Sequence, residues 1–334
     1  MLQGHQTWLF DPRPVIRATG TVGGPFEAKG AIAEDFDILH GDIWLGETSF
    51  EKAERKFLEQ ACEIAINKAG LKKADVQLFL CGDLMNQIIS SSFAARTLGV
   101  PFLGLYGACS SSMEGLAIAG SLISGGYAQN ALVATSSHNA ASEKQFRYPT
   151  EYGSQKPPTA QWTVTGAGAA MLTPDGVGPK VAAATIGRII DMGISDPFNM
   201  GGAMAPAAAD TIEAHFRDLG RDPSYYDLIA TGDLGRVGHQ IAADLLEKHG
   251  IHIPKEKFTD CGLLIYKQDQ PVFAGASGCA CSATVTYGHF LKRMRNGELK
   301  KILIIATGAL LSPLSYQQKE SIPCIAHAVA IESD

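Results

Sequence analysis

Apolar positions along the chain switch between a helical and a strand-like spacing. Phe57, Leu58, Ala61, Ile64 and Ala65 make one helical face, Thr48 and Glu51 ahead of it have the spacing of a capping box, and Gly70 stops the helix. Val76 to Cys81 reads as a buried strand ending at Gly82-Asp83, followed by a helix over Ser90 to Leu98 and a strand over Val100 to Tyr106. The next helix runs from Ser110 to Ile123, with Met113, Leu116, Ala117 and Leu122 at helical spacing up to Gly125-Gly126, and the next strand from Ala131 to Ser136. Ser142 to Pro158 breaks the rhythm with Arg147, Tyr148, Pro149, Pro157 and Pro158, and reads as a surface excursion. Thr163 to Leu172 reads as a small-residue strand or turn and Val181 to Arg188 as a strand, while Gly20 to Pro25 reads as turns. Strands alternating with helices predict an α/β sheet.

A repeat organises these elements. Leu78-Phe-Leu-Cys-Gly-Asp-Leu84 recurs 150 positions on as Leu228-Ile-Ala-Thr-Gly-Asp-Leu234, and the helices before them stop at Gly70 and Gly220 with the same offset. Leu132 to Thr135 matches Ile304 to Thr307 at an offset of 172, which also carries Cys109 onto Cys281. The extra 22 residues are assigned to an insertion, Ile251 to Val272, in which Phe258 to Tyr266 reads as turn plus strand. One unit used twice gives two halves, 1–195 and 196–334, divided near the Gly-, Met- and Pro-rich segment Asp196 to Pro206.

Cys109 stands at a strand-to-helix joint in Tyr106-Gly-Ala-Cys-Ser-Ser-Ser-Met113. Unpaired N–H groups and the helix dipole at such a joint favour a thiolate and bound anions, whereas the plain alternative is a small buried Cys in a tight turn. Cys279-Ala-Cys281 lacks a second pair at ligand spacing, which is weak support for zinc. At 334 residues, with 46% hydrophobic and 19% charged residues, the composition is that of a globular chain. The net charge of −6 without a basic run argues against nucleic acid, and seven scattered Cys argue for a reducing, intracellular compartment. No apolar run approaches the roughly 18 residues of a spanning helix, and the first 14 residues have no apolar signal core.

Two copies of an α/β unit with Cys at a strand-to-helix joint resemble the thiolase superfamily, and Gly107 to Ser112 resembles the nucleophile segment of its ketoacyl synthase III branch. The whole chain is similar to the stage V sporulation protein AD family of spore-forming bacteria. Four segments carry that likeness: Asp11-Pro-Arg-Pro14, Cys81-Gly-Asp-Leu-Met-Asn-Gln87, Thr135-Ser-Ser-His-Asn139 and Gly275-Ala-Ser-Gly-Cys-Ala-Cys-Ser282. The resemblance implies a thiolase-like α/β fold of two duplicated βαβ-rich halves in five layers, a homodimer in which the Ala131 to Ser136 strand pairs with its counterpart across a two-fold axis, and binding of dipicolinic acid for uptake into the developing spore. It also implies work beside other stage V sporulation protein A membrane components, with peripheral association at the inner membrane of the forespore or spore. The synthase branch adds His and Asn to its Cys, but the matching places here hold Asp233 and the Cys279–Cys281 segment. That points to a binding protein rather than an enzyme; the alternative is an acyl-thioester enzyme with Cys109 as nucleophile, and a third reading is a scaffold.

The candidate ligand-binding residues are Asp83, Cys109, Ser110, His138, Asp233, His239, Cys279 and Cys281. Asp83 and Asp233 follow matching strands, where open α/β sheets place ligands, and His138 follows the strand ending at Ser136. His239, in Gly238-His-Gln240, is the other imidazole within reach of the second-half joint. Each has a plainer reading as a turn cap or as a His satisfied by the backbone. No resident cofactor is expected; calcium would enter as the chelate of the dicarboxylate, with Asp83 or Asp233 near the cation.

Overall fold

The computed structural model describes residues 1–146 and 156–333. Ten principal strands are β1 (Val15–Gly23), β2 (Leu78–Gly82), β3 (Phe102–Gly104), β4 (Ala131–Ser137), β5 (Gly166–Thr173), β6 (Lys180–Thr185), β7 (Leu228–Thr231), β8 (Phe258–Asp260), β9 (Lys301–Ala309) and β10 (Cys324–Glu332). They lie in the order β8-β7-β9-β10-β6 and β1-β5-β4-β2-β3, the two runs joined at their inner ends through Lys180 opposite Val15. Each run has the same pattern. The outer three strands are parallel and the inner two antiparallel. By this symmetry the sheet of the second half already begins at Lys180.

Five layers follow because both faces of the central strands are apolar and need cover. α1 (Phe50–Lys68) covers the outer face of the first sheet, with α2 (Ile89–Leu98) against it; α3 (Ser111–Ser124) lies between the sheets. α4 (Asn139–Phe146) follows β4. α5 (Met200–Leu219) and α6 (Gly235–Lys248) cover the second sheet, and α7 (Cys279–Thr284) joins α3 in the middle layer, carried on by a π-helical stretch Val285–Phe290. Along β2, Phe79 and Cys81 face outward to Phe57 and Leu58, and Leu80 faces inward to Met113 and Leu116. Along β9, Leu303 and Ile305 face α5 while Ile302, Ile304 and Ala306 face the middle layer.

The register corrects the repeat. Phe79 is paired with Phe102 and Leu132, and its counterpart Ile229 with Phe258 and Leu303. The offset of 150 holds for β2, but Leu132 maps onto Leu303, an offset of 171 and not 172. One residue of slip would turn every side chain of β9 to the wrong face. Phe258–Asp260 is the counterpart of β3, so Ile251 to Val272 is no single insertion; the added residues lie on both sides of β8.

Other expectations shift with local chemistry. The cap of α1 is Ser49, whose hydroxyl accepts from the Lys52 N–H, and not Thr48. Gly20 to Gly23, read as turns, lies in β1, because α1 crosses so closely that a Cβ at Gly20 would stand 2.2 Å from the Ala61 carbonyl. The excursion begins as helix α4, and residues 147–155 of it fall outside the described residues. β4 is paired on both sides, with β2 and β5, so it is not a strand free to pair across a two-fold axis; among the described residues the free edges belong to β3 and β8.

The middle layer depends on small residues. A Cβ at Gly168 on β5 would lie 2.9 Å from the backbone of Ala283 in α7, which has no room to yield. Gly168→Ala is therefore expected to cost about 1–3 kcal/mol of stability, read as a lower midpoint in chemical denaturation; an unchanged midpoint would show that α7 can retreat from the sheet.

Candidate functional site

The two central helices start beside each other at the middle of the molecule. Ala108, at φ +50, and Gly278, at φ +102, both take positive φ just ahead of Cys109 and Cys279. The structural counterpart of Cys109 is therefore Cys279 and not Cys281. Their side chains are neighbours, and the Cys279 thiol donates to the Ala108 carbonyl at 3.0 Å. One turn further in, the Ser112 and Ser282 hydroxyls meet at 2.7 Å.

Asp233, on the loop leaving β7, completes this group. Its Oδ1 accepts from the Thr307 hydroxyl at 2.6 Å, its Oδ2 from the Gly278 N–H at 3.0 Å, and the Cys109 thiol also donates to it. The loop is held in turn by Asp260, which accepts from Thr231 Oγ1 and from the N–H groups of Leu234, Gly235 and Gly262. Burial pushes Asp233 up to about 6 and Asp260 up to about 7, the latter also through the charge of Asp233.

Cys109 departs from the expectation of a stabilised thiolate. The adjoining Cys279 thiol lowers its pKa, but desolvation and the neighbouring Asp233 carboxylate outweigh it, and the thiol stands above its ordinary value. A short 3-10 turn, Ala108–Ser110, also separates Cys109 from the first residue of α3. Burial raises Cys279 well above its ordinary value.

Cys109 and Asp233 open into a cavity of about 350 Å³ whose walls are largely apolar, among them Met85, Tyr106, Phe146, Met200, Met204 and Leu310. Asp83 lines its other side. There it accepts from the Met85 and Ser91 N–H groups and from the Ser91 hydroxyl, and burial raises its pKa. Behind it the buried Glu54 accepts from Ser136 Oγ at 2.9 Å, and burial, then the charge of Asp83, pushes it well above the usual range.

The structure thus brings Asp83, Cys109 and Asp233 to one cavity, with Cys279 directly behind Cys109. Ser110 turns back to donate to the Gly107 carbonyl, and Cys281 points to the Gly232 carbonyl within the core. His138 is buried against Phe50, its Nε2 at 3.0 Å from the Ile43 carbonyl, and His239 stacks on Phe258 from α6; neither lines the cavity. Thr307 and Glu54 escaped the sequence reading. For Thr307 a signal existed, since it closes the repeated Ile304-Ile-Ala-Thr307 segment just where β9 passes the Asp233 loop. Among the described residues no group of three or more His, Cys, Asp or Glu is placed to hold a metal ion, and no helix is long and apolar enough to cross a membrane.

Residues 4–332 match the family model described as stage V sporulation protein AD. The chain is 51% identical over 331 residues to stage V sporulation protein AD of Bacillus subtilis strain 168, covering 99% of this chain and 98% of that protein. Among solved structures it resembles a variant of OleA of Xanthomonas campestris, with a TM-score of 0.61 at 15% identity over 98% of this chain and 100% of the other. It also resembles 3-oxoacyl-[acyl-carrier-protein] synthase III of Aquifex aeolicus VF5, with a TM-score of 0.58 at 16% identity over 96% and 100%. These likenesses place the architecture among the thiolase-like folds.

The raised carboxyl of Asp233 has a measurable consequence. Its usual value is 3.8, so the advantage of the neutral, buried form is complete below about pH 4 and is lost as pH rises through about 6. Asp233→Asn, which stays neutral, should gain stability on the parent protein between pH 4 and 7, by up to about 3 kcal/mol. Urea unfolding of both proteins across that range checks it, and a difference that does not change with pH would refute the buried, raised carboxyl.

Proposed function

The chain belongs to the stage V sporulation protein AD family, and on that premise we propose that it is a non-catalytic binding protein for dipicolinic acid, free or as the calcium chelate, acting in uptake into the developing spore. The observation that carries this reading is the company Cys109 keeps. Its neighbours are Asp233 and Cys279, and among the described residues lining the cavity there is no histidine. Decarboxylating condensation develops negative charge on an enolate and an oxyanion, which neutral or cationic donors stabilise and a carboxylate opposes. A thiol raised above its ordinary value is in addition a poor nucleophile at neutral pH.

What remains suits a small planar ligand. A cavity of about 350 Å³ is within the size of small-molecule sites, roughly 300–1,000 Å³, and an apolar wall with a few polar groups accepts a single aromatic ring. Asp83 and Asp233 disfavour a bare dianion and favour a ligand that arrives with calcium or with protons. Two coarser parts of the reading concern assembly. Partnership with other stage V sporulation protein A membrane components, at the inner membrane of the forespore or spore, follows from the family alone. A homodimer is proposed at the free edge of β3, where Leu103 is 46% exposed beside unpaired backbone groups.

Calorimetry with dipicolinate, with and without calcium, tests the site. Cys109→Leu, folded by circular dichroism, should bind the calcium chelate at least about tenfold more weakly because the larger side chain fills the cavity, while Cys109→Ser is tolerated. Asp83→Ala and Asp233→Ala should reduce any advantage that calcium confers. Acyl-CoA or acyl carrier protein should give no turnover, and sustained condensation would establish the enzymatic alternative instead. Separately, sedimentation at micromolar concentration should show a dimer that Leu103→Asp weakens; a monomeric parent protein removes the dimer from the proposal.

A further inference from the structure

A second cavity, about 370 Å³, adjoins the first at the start of α1, and its charge is opposite. Among the described residues, Lys52, Arg55 and Lys144 line it, against one acid, Glu51. Glu51 takes up Lys144 at 2.8 Å, and Arg55 reaches the more distant Glu59 at 3.4 Å. Lys52 donates to the neutral Thr48 hydroxyl at 3.0 Å, which leaves its charge uncompensated by that contact. The positive end of the 19-residue α1, capped by Ser49, adds to the same potential. The cavity also offers apolar surface, since Ile89 and Phe93 on its rim are each 39% exposed.

The cavities share a wall made of Met85, Asn86 and Gln145. Gln145 ties that wall together, accepting from the Asn86 N–H at 3.0 Å and donating to the Leu84 carbonyl at 3.3 Å. The neighbouring Gln87 and Ile88 are held at φ +56 and +46, left-handed values that a side-chain-bearing residue adopts at a cost.

The described lining of the Cys109 cavity contains two carboxylates and neither Lys nor Arg, so a free aromatic dicarboxylate entering it meets like charge. We infer that the basic cavity at the start of α1 is a binding site for the free aromatic dicarboxylate dianion, separate from the Cys109 cavity, which takes the charge-neutral calcium chelate. This rests on the proposed function for the identity of the ligand. The basic site reads charge and the acidic one reads the cation, and a loop under backbone strain stands between them.

The test is titration of the full chain with dipicolinate, with and without calcium, and with isophthalate, which carries two carboxylates on a ring without the chelating nitrogen. In the double variant Lys52→Gln, Arg55→Gln, checked for folding by thermal melting, binding of both free anions should weaken roughly tenfold. Its dependence on sodium chloride should shrink as well, while binding of the calcium chelate is unchanged. Free-anion affinity within twofold of the parent protein overturns the inference and leaves the Cys109 site standing. Loss of the chelate alone in Cys109→Leu, with free-anion binding retained, supports two sites. If dipicolinate does not bind at all, the proposed function fails; isophthalate binding that disappears in the double variant would still support the basic site, and absence of both would overturn it.

Discussion

The fold hangs on the burial of two equivalent helices between two sheets with almost no space between them. α3 and α7 meet where Ser112 and Ser282 share a hydrogen bond, so two hydroxyls that would be costly alone in the core satisfy each other. Close approach then dictates composition around them. Gly168 lies against Ala283, and a Cβ at Gly308 would stand 2.2 Å from the Gly107 carbonyl. Because the helices start at this contact, their first turns, the loop after β7 and the end of β9 arrive at one point, and the cavity is what is left there.

Asp233 shows what such a location does to a charged group. Its carboxylate has three donors, from Thr307, Gly278 and Cys109, which would ordinarily depress its pKa, yet burial outweighs them and the group ends near 6. Asp83 follows the same logic with donors from its own loop. Both carboxylates therefore act as tethers, Asp233 holding the Gly278 turn to β9 and Asp83 holding the loop that begins at Leu84.

The chain's architecture was legible because duplication prints itself on buried strands. Leu78 to Leu84 and Leu228 to Leu234 keep their spacing, since a strand apolar on both faces tolerates few insertions. The same property hid the register of β9. Leu132 to Thr135 and Ile304 to Thr307 match well at an offset of 172 because both faces are apolar, so sequence likeness did not distinguish inward from outward positions, and only pairing gave 171. The partner of Cys109 differs as well, since its joint keeps an offset of 170, which carries Cys109 onto Cys279 and Ser112 onto Ser282. Asp83, Cys109 and Asp233 were found as ends of strands. His138 and His239 lie off the cavity because the direction of an imidazole is set by its contacts, here Ile43, Phe50 and Phe258, residues distant in sequence.

Glycine gives the last step. At Gly278, φ is +102, which a side chain rarely adopts, and a Cβ there would also stand 2.7 Å from the Ser137 hydroxyl. Its counterpart Ala108 holds φ +50 while carrying a methyl group. The first-half turn is thus strained where the second is not, and what holds it includes the Cys279 thiol at the Ala108 carbonyl and the Ser110 hydroxyl on the Gly107 carbonyl. A larger group at position 279 would press on Cys109, and one without a donor would release the carbonyl. Cysteine meets both demands, which accounts for a buried thiol at this position by packing and hydrogen bonding alone, with no need of reactivity.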